Sequence, residues 1–357
     1  MVNSSFISSA DQVAVSFTTK WQAPSNIALV KYWGKTEPQL PKNPSLSFTL
    51  ASSVTTTEVV FSPNNQGIFE FEFYFEGTLK ADFNPKLNSY FDRIKTYIPW
   101  LNSYTLRISS QNSFPHSSGI ASSASAMAAL SLCLMDMERK LIPETSAVDF
   151  CKKASFLARL GSGSAARSVE GPVTLWGKNS IQKSGSDLYA TPFGADLNLI
   201  FSSYQDTILL VDKGTKAVSS TQGHQLMHNH PFAAQRFIQA RHNLADLVPI
   251  MKSGDLDGFM RIVETEALSL HAMMMTSNPY FILMQPNTLE IIQKVWEYRK
   301  ETQIPLCFTL DAGANIHLLY PKQNSEAVGA FIKADLAAYC EQGQYLFDEV
   351  GTGAKKV

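Results

Sequence analysis

Residues 68–77, IFEFEFYFEG, alternate: Phe69, Phe71, Phe73 and Phe75 lie on one side, and Glu70, Glu72, Tyr74 and Glu76 on the other. A period of two predicts a half-buried strand with one aromatic face. The period then changes. Leu87, Tyr90, Phe91, Ile94, Tyr97 and Ile98 recur at steps of three and four, which predicts an amphipathic helix stopped by Pro99. A strand is expected over 104–109, an Ala-rich helix through the 120s, a helix over 145–160 and a Gly/Ser turn at GSGSAAR. Beyond Trp176 comes a polar stretch, then two short apolar strands, LNLIFSS and TILLVDK. Helical periodicity marks 231–275 and 288–299, IPLCFTLDAG and NIHLLYP read as neighbouring strands, and 326–339 is helical again. A strand-rich first half followed by alternating helices and strands predicts an α+β chain divided near residue 195, into 1–195 and 196–357. There is no internal repeat.

Composition sharpens this. At 357 residues and 45% hydrophobic the chain can bury a large core and is too long for a single small one, so two packed domains are expected. Only 17% of residues are charged, and 30 Lys and Arg nearly cancel 31 Asp and Glu. The overall field is weak, so no nucleic-acid or acidic-membrane partner is expected. Any anionic ligand must be held by a few local cations. The four cysteines, Cys133, Cys151, Cys307 and Cys340, form no C-x-x-C pair and read as free core thiols of a reducing compartment. The start MVNSSFISSADQ lacks the pattern of a leader, and no apolar run is long enough for a membrane span, so the cytoplasm is the expected location.

The chemistry begins in NSFPHSSGIASSASAMAAL, residues 112–130, which places a Pro, a Gly and six Ser between Ser113 and Ala126. Such a loop feeding a helix N-terminus offers free N–H donors and partial positive charge, a seat for phosphate; a well-capped helix that binds nothing is the alternative. In GSGSAARS two glycines free the backbone N–H groups of 162–166 for anionic oxygens, and Arg167 adds a planar fork of donors. An ordinary helix-start turn is the plain reading. Lys31 and Lys35 in NIALVKYWGK would, alone, pass for a solvated strand end. Asp311 follows the apolar PLCFTL and precedes the flexible AGAN, so its carboxylate should project into a cleft. His224, His228 and His230 in HQLMHNH have zinc-like spacing, but with no acidic or Cys partner nearby a solvated helix-entry segment is expected. The three successive Met at 273–275 read as helix-end core packing.

Together APSNIALVKYWGK (23–35), PKNPSLSFTL (41–50), GSGSAARS (161–168), VSSTQG (218–223) and TLDAGANIHLLY (309–320) resemble the mevalonate diphosphate decarboxylases of the GHMP kinase superfamily, in order and approximate spacing, from residue 20 to VGTGA near the C-terminus. The resemblance implies a two-domain fold. An N-terminal domain like domain 2 of ribosomal protein S5, with the phosphate loop, would occupy 1–195. A ferredoxin-like C-terminal domain carrying the catalytic Asp would occupy 196–357. It implies ATP-dependent decarboxylation of (R)-mevalonate 5-diphosphate to isopentenyl diphosphate through phosphorylation of the 3-hydroxyl, in the mevalonate route to isoprenoids, by a homodimer using ATP and Mg²⁺. On the matching positions Asp311, Lys31 and Arg167 are catalytic. Substrate contacts fall to Tyr32, Trp33, Gly34, Lys35, Ser162, Gly163, Ser164, Ala165, Ala166, Arg167, Ser220 and Thr221. Gly119, Ala121, Ser122 and Ser123 hold the nucleotide, with Ser123 on Mg²⁺. Asn26 and Ser45 either support these groups or serve structural hydrogen bonds only.

The chain departs from the family pattern. PHSSGIASSAS replaces the commoner PTAAGLASSAA, Pro44 stands where Ser is frequent, and Ala166 where Cys is frequent. No Arg precedes the strand at 69–76, where many relatives carry one for the diphosphate; Lys80 is the candidate replacement. That leaves a mevalonate 5-phosphate decarboxylase or a 3-kinase as rivals, and a non-catalytic ligand sensor as a rival of another class. Retention of Lys31, Arg167 and Asp311 argues against the kinase, and the Asp with the phosphate loop against the sensor.

Overall fold

The structure, a computed structural model, describes residues 3–10, 15–64, 67–115, 120–194, 196–214 and 220–357. Two long strands organise the first half. β1 (Phe17–Val30) runs antiparallel to β4 (Ser45–Pro63) and slips register between Pro24 and Asn26 and again between Ala28 and Val30. Such bulges bend a strand and re-aim its end. The small hairpin β2 (Lys35–Thr36) and β3 (Leu40–Pro41) fills the connection. β5 (Glu70–Phe75), β6 (Thr78–Leu79) and β7 (Tyr104–Asn112) extend the sheet in the order β4-β7-β5-β6, with β5 and β7 parallel. β8 (Val173–Trp176) and β9 (Ala190–Pro192) add at the first residues of β4.

Helices α1 (Asn84–Ile94), α2 (Ser122–Leu141) and α3 (Ala147–Gly161) cover this sheet. Small residues on α2, including Ala124, Ser125 and Ala128, let it lie close to β1 and β4, where Ser125 Oγ meets Thr55 Oγ1 at 2.6 Å. The aromatic stripe is half-buried: Phe73 is enclosed, while Phe69 and Phe71 lie on Phe91 with ring centroids 4.6 and 5.0 Å away.

The second half holds an antiparallel sheet of β10 (Gln205–Leu209), β11 (Cys307–Thr309), β12 (Ile316–Tyr320) and β13 (Tyr345–Glu349), ordered β11-β12-β10-β13. With it come α4 (Ser220–Leu226), α5 (Ala233–Ser253), α6 (Leu256–Met275), α7 (Pro286–Thr302) and α8 (Ser325–Phe331). The periodic run 231–275 is two helices. Gly254 closes α5 in the left-handed region (φ 81°), and Asp255 caps α6 by accepting from Gly258 N–H at 3.0 Å. The helix expected as far as Pro99 ends at Ile94, leaving Tyr97 and Ile98 beyond it, and two further expectations fail. Over 197–203 there is a 3-10 turn rather than a strand, because Asn198 Oδ1 accepts from Ile200 N–H and starts it, burying Phe201 and leaving Leu199 in solvent. The helix expected over 326–339 is α-helical only to Phe331 and then widens and tightens through 332–339.

The halves interlock through a shared core. Ile27, Leu29 and Phe48 of the first sheet pack in one cluster with Leu244, Leu247, Phe259 and Val263 of α5 and α6. Buried Asp348 on β13 accepts the N–H groups of Ala51, Ser52 and Ser53 at 2.9, 2.8 and 2.7 Å. A last strand, β14 (Lys355–Lys356), returns to the first sheet and pairs with Trp21 and Gln22 on the outer edge of β1. No helix among the described residues is long and apolar enough to cross a membrane.

Candidate active site

The chain leaves β1 through Lys31, Tyr32 and Trp33, at the end that the second bulge redirects. Around a cavity of about 280 Å³ these meet Lys35, Ala121, Ser123, Ser162, Gly163, Ser164 and Arg167 from the first half, and Asp311 from the second. Lys31 is 2% exposed, and its Nζ lies 2.9 Å from Asp311 Oδ1. Burial pushes the ammonium below its ordinary pKa, and the Asp311 carboxylate opposes that shift.

Arg167 sits in a 3-10 turn, Gly163–Ser168, with its guanidinium buried 5.7 Å from the Trp176 ring centroid. Its Nε donates to Asn26 Oδ1 at 3.3 Å and its Nη1 to Ser45 Oγ at 2.5 Å. Asn26 is itself held, since its Nδ2 donates to Ser168 Oγ at 2.7 Å and Ser164 O at 3.2 Å. Asn26 and Ser45 therefore aim Arg167 and do not line the cavity. This narrows the fork expected from sequence: the Nε side is taken, and the Nη1/Nη2 end remains for a carboxylate. Burial pushes the guanidinium down to about 10, still charged at neutral pH.

Tyr32 Oη is buried with no hydrogen-bond partner among the described residues, in the cavity wall, where a ligand atom would satisfy it. Gly163 permits that placement, because a Cβ there would lie 2.7 Å from Tyr32 Oη. Lys35 is also buried. Its Nζ donates to Gln39 Oε1 at 2.8 Å, and burial lowers its pKa against the opposing pull of Glu37. Gly34 lies behind the wall with φ +95°, and a Cβ on it would touch Phe237 at 2.8 Å. Ala165 and Ala166 are buried within the turn, with Ala166 O accepting from Ser155 Oγ at 2.8 Å.

His224 corrects the sequence reading. Expected in solvent, it is buried in the cavity wall with ring centroids 4.3 Å from Tyr32 and 4.7 Å from Trp33, and its Nδ1 accepts from Gly34 N–H at 2.9 Å. Burial, followed by Lys35 and Arg167, pushes it down to about 3, so it stays neutral. No spacing in the sequence signals this; the one hint is Gly223 beside it, where a Cβ would meet Trp33 at 2.4 Å. His228 is exposed, and His230 Nε2 lies 3.0 Å from Met273 O.

On the nucleotide side, α2 begins at Ala121, a non-glycine residue in the left-handed region (φ 42°), with no side-chain cap. The Ser caps expected from sequence are absent there, which leaves the first-turn N–H groups to other partners. Ser25 Oγ donates to Ile120 O at 2.5 Å and fixes the entry to this turn. Ser123 Oγ is 3.3 Å from Ser162 Oγ. Ser122 and Ser123 also border a second, mostly apolar cavity of about 80 Å³, walled by Phe73, Phe75, Phe83 and Met127. Lys80 lines neither cavity, whereas Lys86 lines both. Gly119 lies outside the described residues; Ser220 and Thr221 open α4, and their side chains lie outside them too.

Residues 23–190 match the diphosphomevalonate decarboxylase-like N-terminal domain, and 207–353 the mevalonate 5-diphosphate decarboxylase C-terminal domain. A diphosphomevalonate decarboxylase of Ganoderma lucidum is 30% identical over 327 residues, covering 86% of this chain and 79% of its own. A phosphomevalonate decarboxylase of Haloferax volcanii is 28% identical over 313 residues, covering 84% and 87%. The solved structure of MDDEF in complex with MVAPP, AMPPCP and magnesium superposes with a TM-score of 0.81 at 29% identity, over 96% of this chain and 99% of that one. At that identity and coverage the chain belongs to the diphosphomevalonate decarboxylase family, and its two-domain α+β architecture is that of the GHMP kinases.

Proposed function

We propose that the protein uses ATP to phosphorylate the 3-hydroxyl of mevalonate 5-diphosphate and then releases phosphate and carbon dioxide, leaving isopentenyl diphosphate. The observation that carries this reading is one cavity holding Asp311 paired to buried Lys31 together with an Arg167 that, beyond its Nε bond to Asn26 and one Nη1 bond to Ser45, keeps Nη2 for a ligand. Asp311 accepts the hydroxyl proton as the oxygen attacks the γ-phosphorus and ADP departs, and Lys31 orients that carboxylate. Arg167 holds the substrate carboxylate. The tertiary phosphate leaves with its bonding pair, the electrons of the C–CO₂⁻ bond form the new double bond, and carbon dioxide departs.

The residues present fit the nucleotide and its metal. The uncapped start of α2 offers N–H donors to phosphate, and the adjoining apolar cavity suits a base. Ser123 and Asp311 supply the hard oxygens that Mg²⁺ prefers, and the ion when bound would offset phosphate charge. Lys86, at the junction of the two cavities, takes the anion-neutralising place first assigned to Lys80.

The monophosphate is the second reading, favoured by the missing Arg ahead of β5. Lys35, Lys86 and Tyr32 still leave cations and a donor for a distal diphosphate, and the diphosphate is the expected substrate. Product analysis with ATP and each mevalonate phosphate tests this: equal kcat/KM would contradict the diphosphate preference, a higher value on the monophosphate would move the assignment there, and no substrate-dependent ADP would remove both. Four unpaired cysteines support a cytoplasmic setting. We also infer a homodimer and a domain division near 195, the former from family resemblance alone. Elution as a monomer would remove it.

A further inference from the structure

We infer that helix α6 is a template that fixes the Lys31–Asp311 pair by holding the backbone of each partner, with Glu266 and His271 as positioning residues. The two acidic and basic strand ends come from opposite halves of the chain, so their 2.9 Å approach depends on something common to both. Two successive turns of α6 supply it. Glu266 Oε2 accepts the backbone N–H of Lys31 at 2.8 Å, and His271 Nε2 lies 3.1 Å from the backbone carbonyl of Asp311. A carbonyl only accepts, so Nε2 carries the proton and donates. Leu270, between them on the helix, lines the cavity.

The template is itself immobilised. Glu266 has no exposed surface, and its carboxylate takes Arg236 Nη1 at 2.9 Å, Arg236 Nη2, and Asn243 Nδ2 at 2.6 Å, all from α5. A carboxylate held by donors at both oxygens cannot swing, so the Lys31 N–H is pinned to a fixed point. His271 is 1% exposed and equally enclosed. Neither side chain lines the cavity, and each acts through another residue's main chain.

This rests on the decarboxylase reading, so wild-type ADP and carbon dioxide release are measured first. His271→Leu removes the donor but keeps apolar volume. It should lower kcat about 10- to 100-fold, the scale at which small misplacements of reacting groups act, with both KM values within about threefold. His271→Gln should recover most of that loss, because its amide nitrogen reaches about as far as Nε2; His271→Asn, one methylene shorter, should not. Glu266→Asp keeps the charge for Arg236 while withdrawing the acceptor from Lys31 N–H, and should also lower kcat without moving KM. Combined with His271→Leu, its effect should be less than additive, since both disturb one pair. Should His271→Leu fail to fold, the contrast of Gln with Asn reads the same donor. Full kcat in His271→Leu, or equal damage by Gln and Asn, overturns the template alone; a wild type without turnover overturns the decarboxylase and the template with it.

Discussion

Arg167 enters the cavity with Nε and one Nη1 proton already committed to Asn26 and Ser45. Lysine has one nitrogen and cannot both keep those bonds and present a planar end to a carboxylate. Arg167→Lys should therefore lose at least about 10²-fold in kcat/KM despite keeping the charge; near-normal turnover would remove the residue from the substrate. Asp311→Asn removes the proton acceptor and the Lys31 ion pair together. Phosphorylation precedes loss of carbon dioxide, so ADP and carbon dioxide release should fall jointly, by about 10²–10⁴. A variant making ADP at full rate without carbon dioxide would place Asp311 in the second step. At this scale the sequence was legible wherever chemistry and motif coincide, as for Lys31, Arg167 and Asp311. It was not legible for His224, Glu266 or His271. Their places depend on which helix face the second half turns toward β1, and no local pattern encodes that.

At the scale of elements, the start of α2 turns on Ala121 in a region that favours glycine by about 1–2 kcal/mol. Ala121→Gly should leave the ATP KM unchanged and hold or raise the melting temperature, because it relieves that conformation. Ala121→Val, β-branched, should raise the ATP KM and lower the melting temperature. Equal ATP KM in all three would separate the turn from the nucleotide. Periodicity identified β5 and α1, each of which buries one face against a partner, and continuous apolar runs identified β11 and β12, which are buried throughout. The same reading failed at 197–203, a short apolar run that reads as a strand, where one Asn side chain captures the backbone and starts a turn.

Across the whole molecule, Asp348 joins the second sheet to β4 through three N–H bonds. Asp348→Ala would leave those buried donors unmet and should cost about 2–4 kcal/mol, read as a lower denaturation midpoint. A midpoint unchanged in that variant would remove the clamp from the stability of the whole. His224 makes stability pH-dependent. In the folded state it stays neutral down to about pH 3, whereas the ordinary histidine value is 6.5. Between those values the unfolded chain binds the extra proton, so the contribution is complete above pH 6.5 and is lost as pH falls toward 3. His224→Gln should flatten the melting temperature over that window relative to wild type, and parallel curves would contradict it.

The return of β14 to the rim of β1 has a consequence for biogenesis. Trp21 and Gln22 emerge from the ribosome early, but the strand that covers their edge arrives with residues 355 and 356. Throughout the synthesis of the residues between them that rim is an unpaired edge, open to any neighbouring nascent strand. The two-residue strand acts as a late latch, and chains released before it should be captured by chaperones or by one another more readily than chains that contain it.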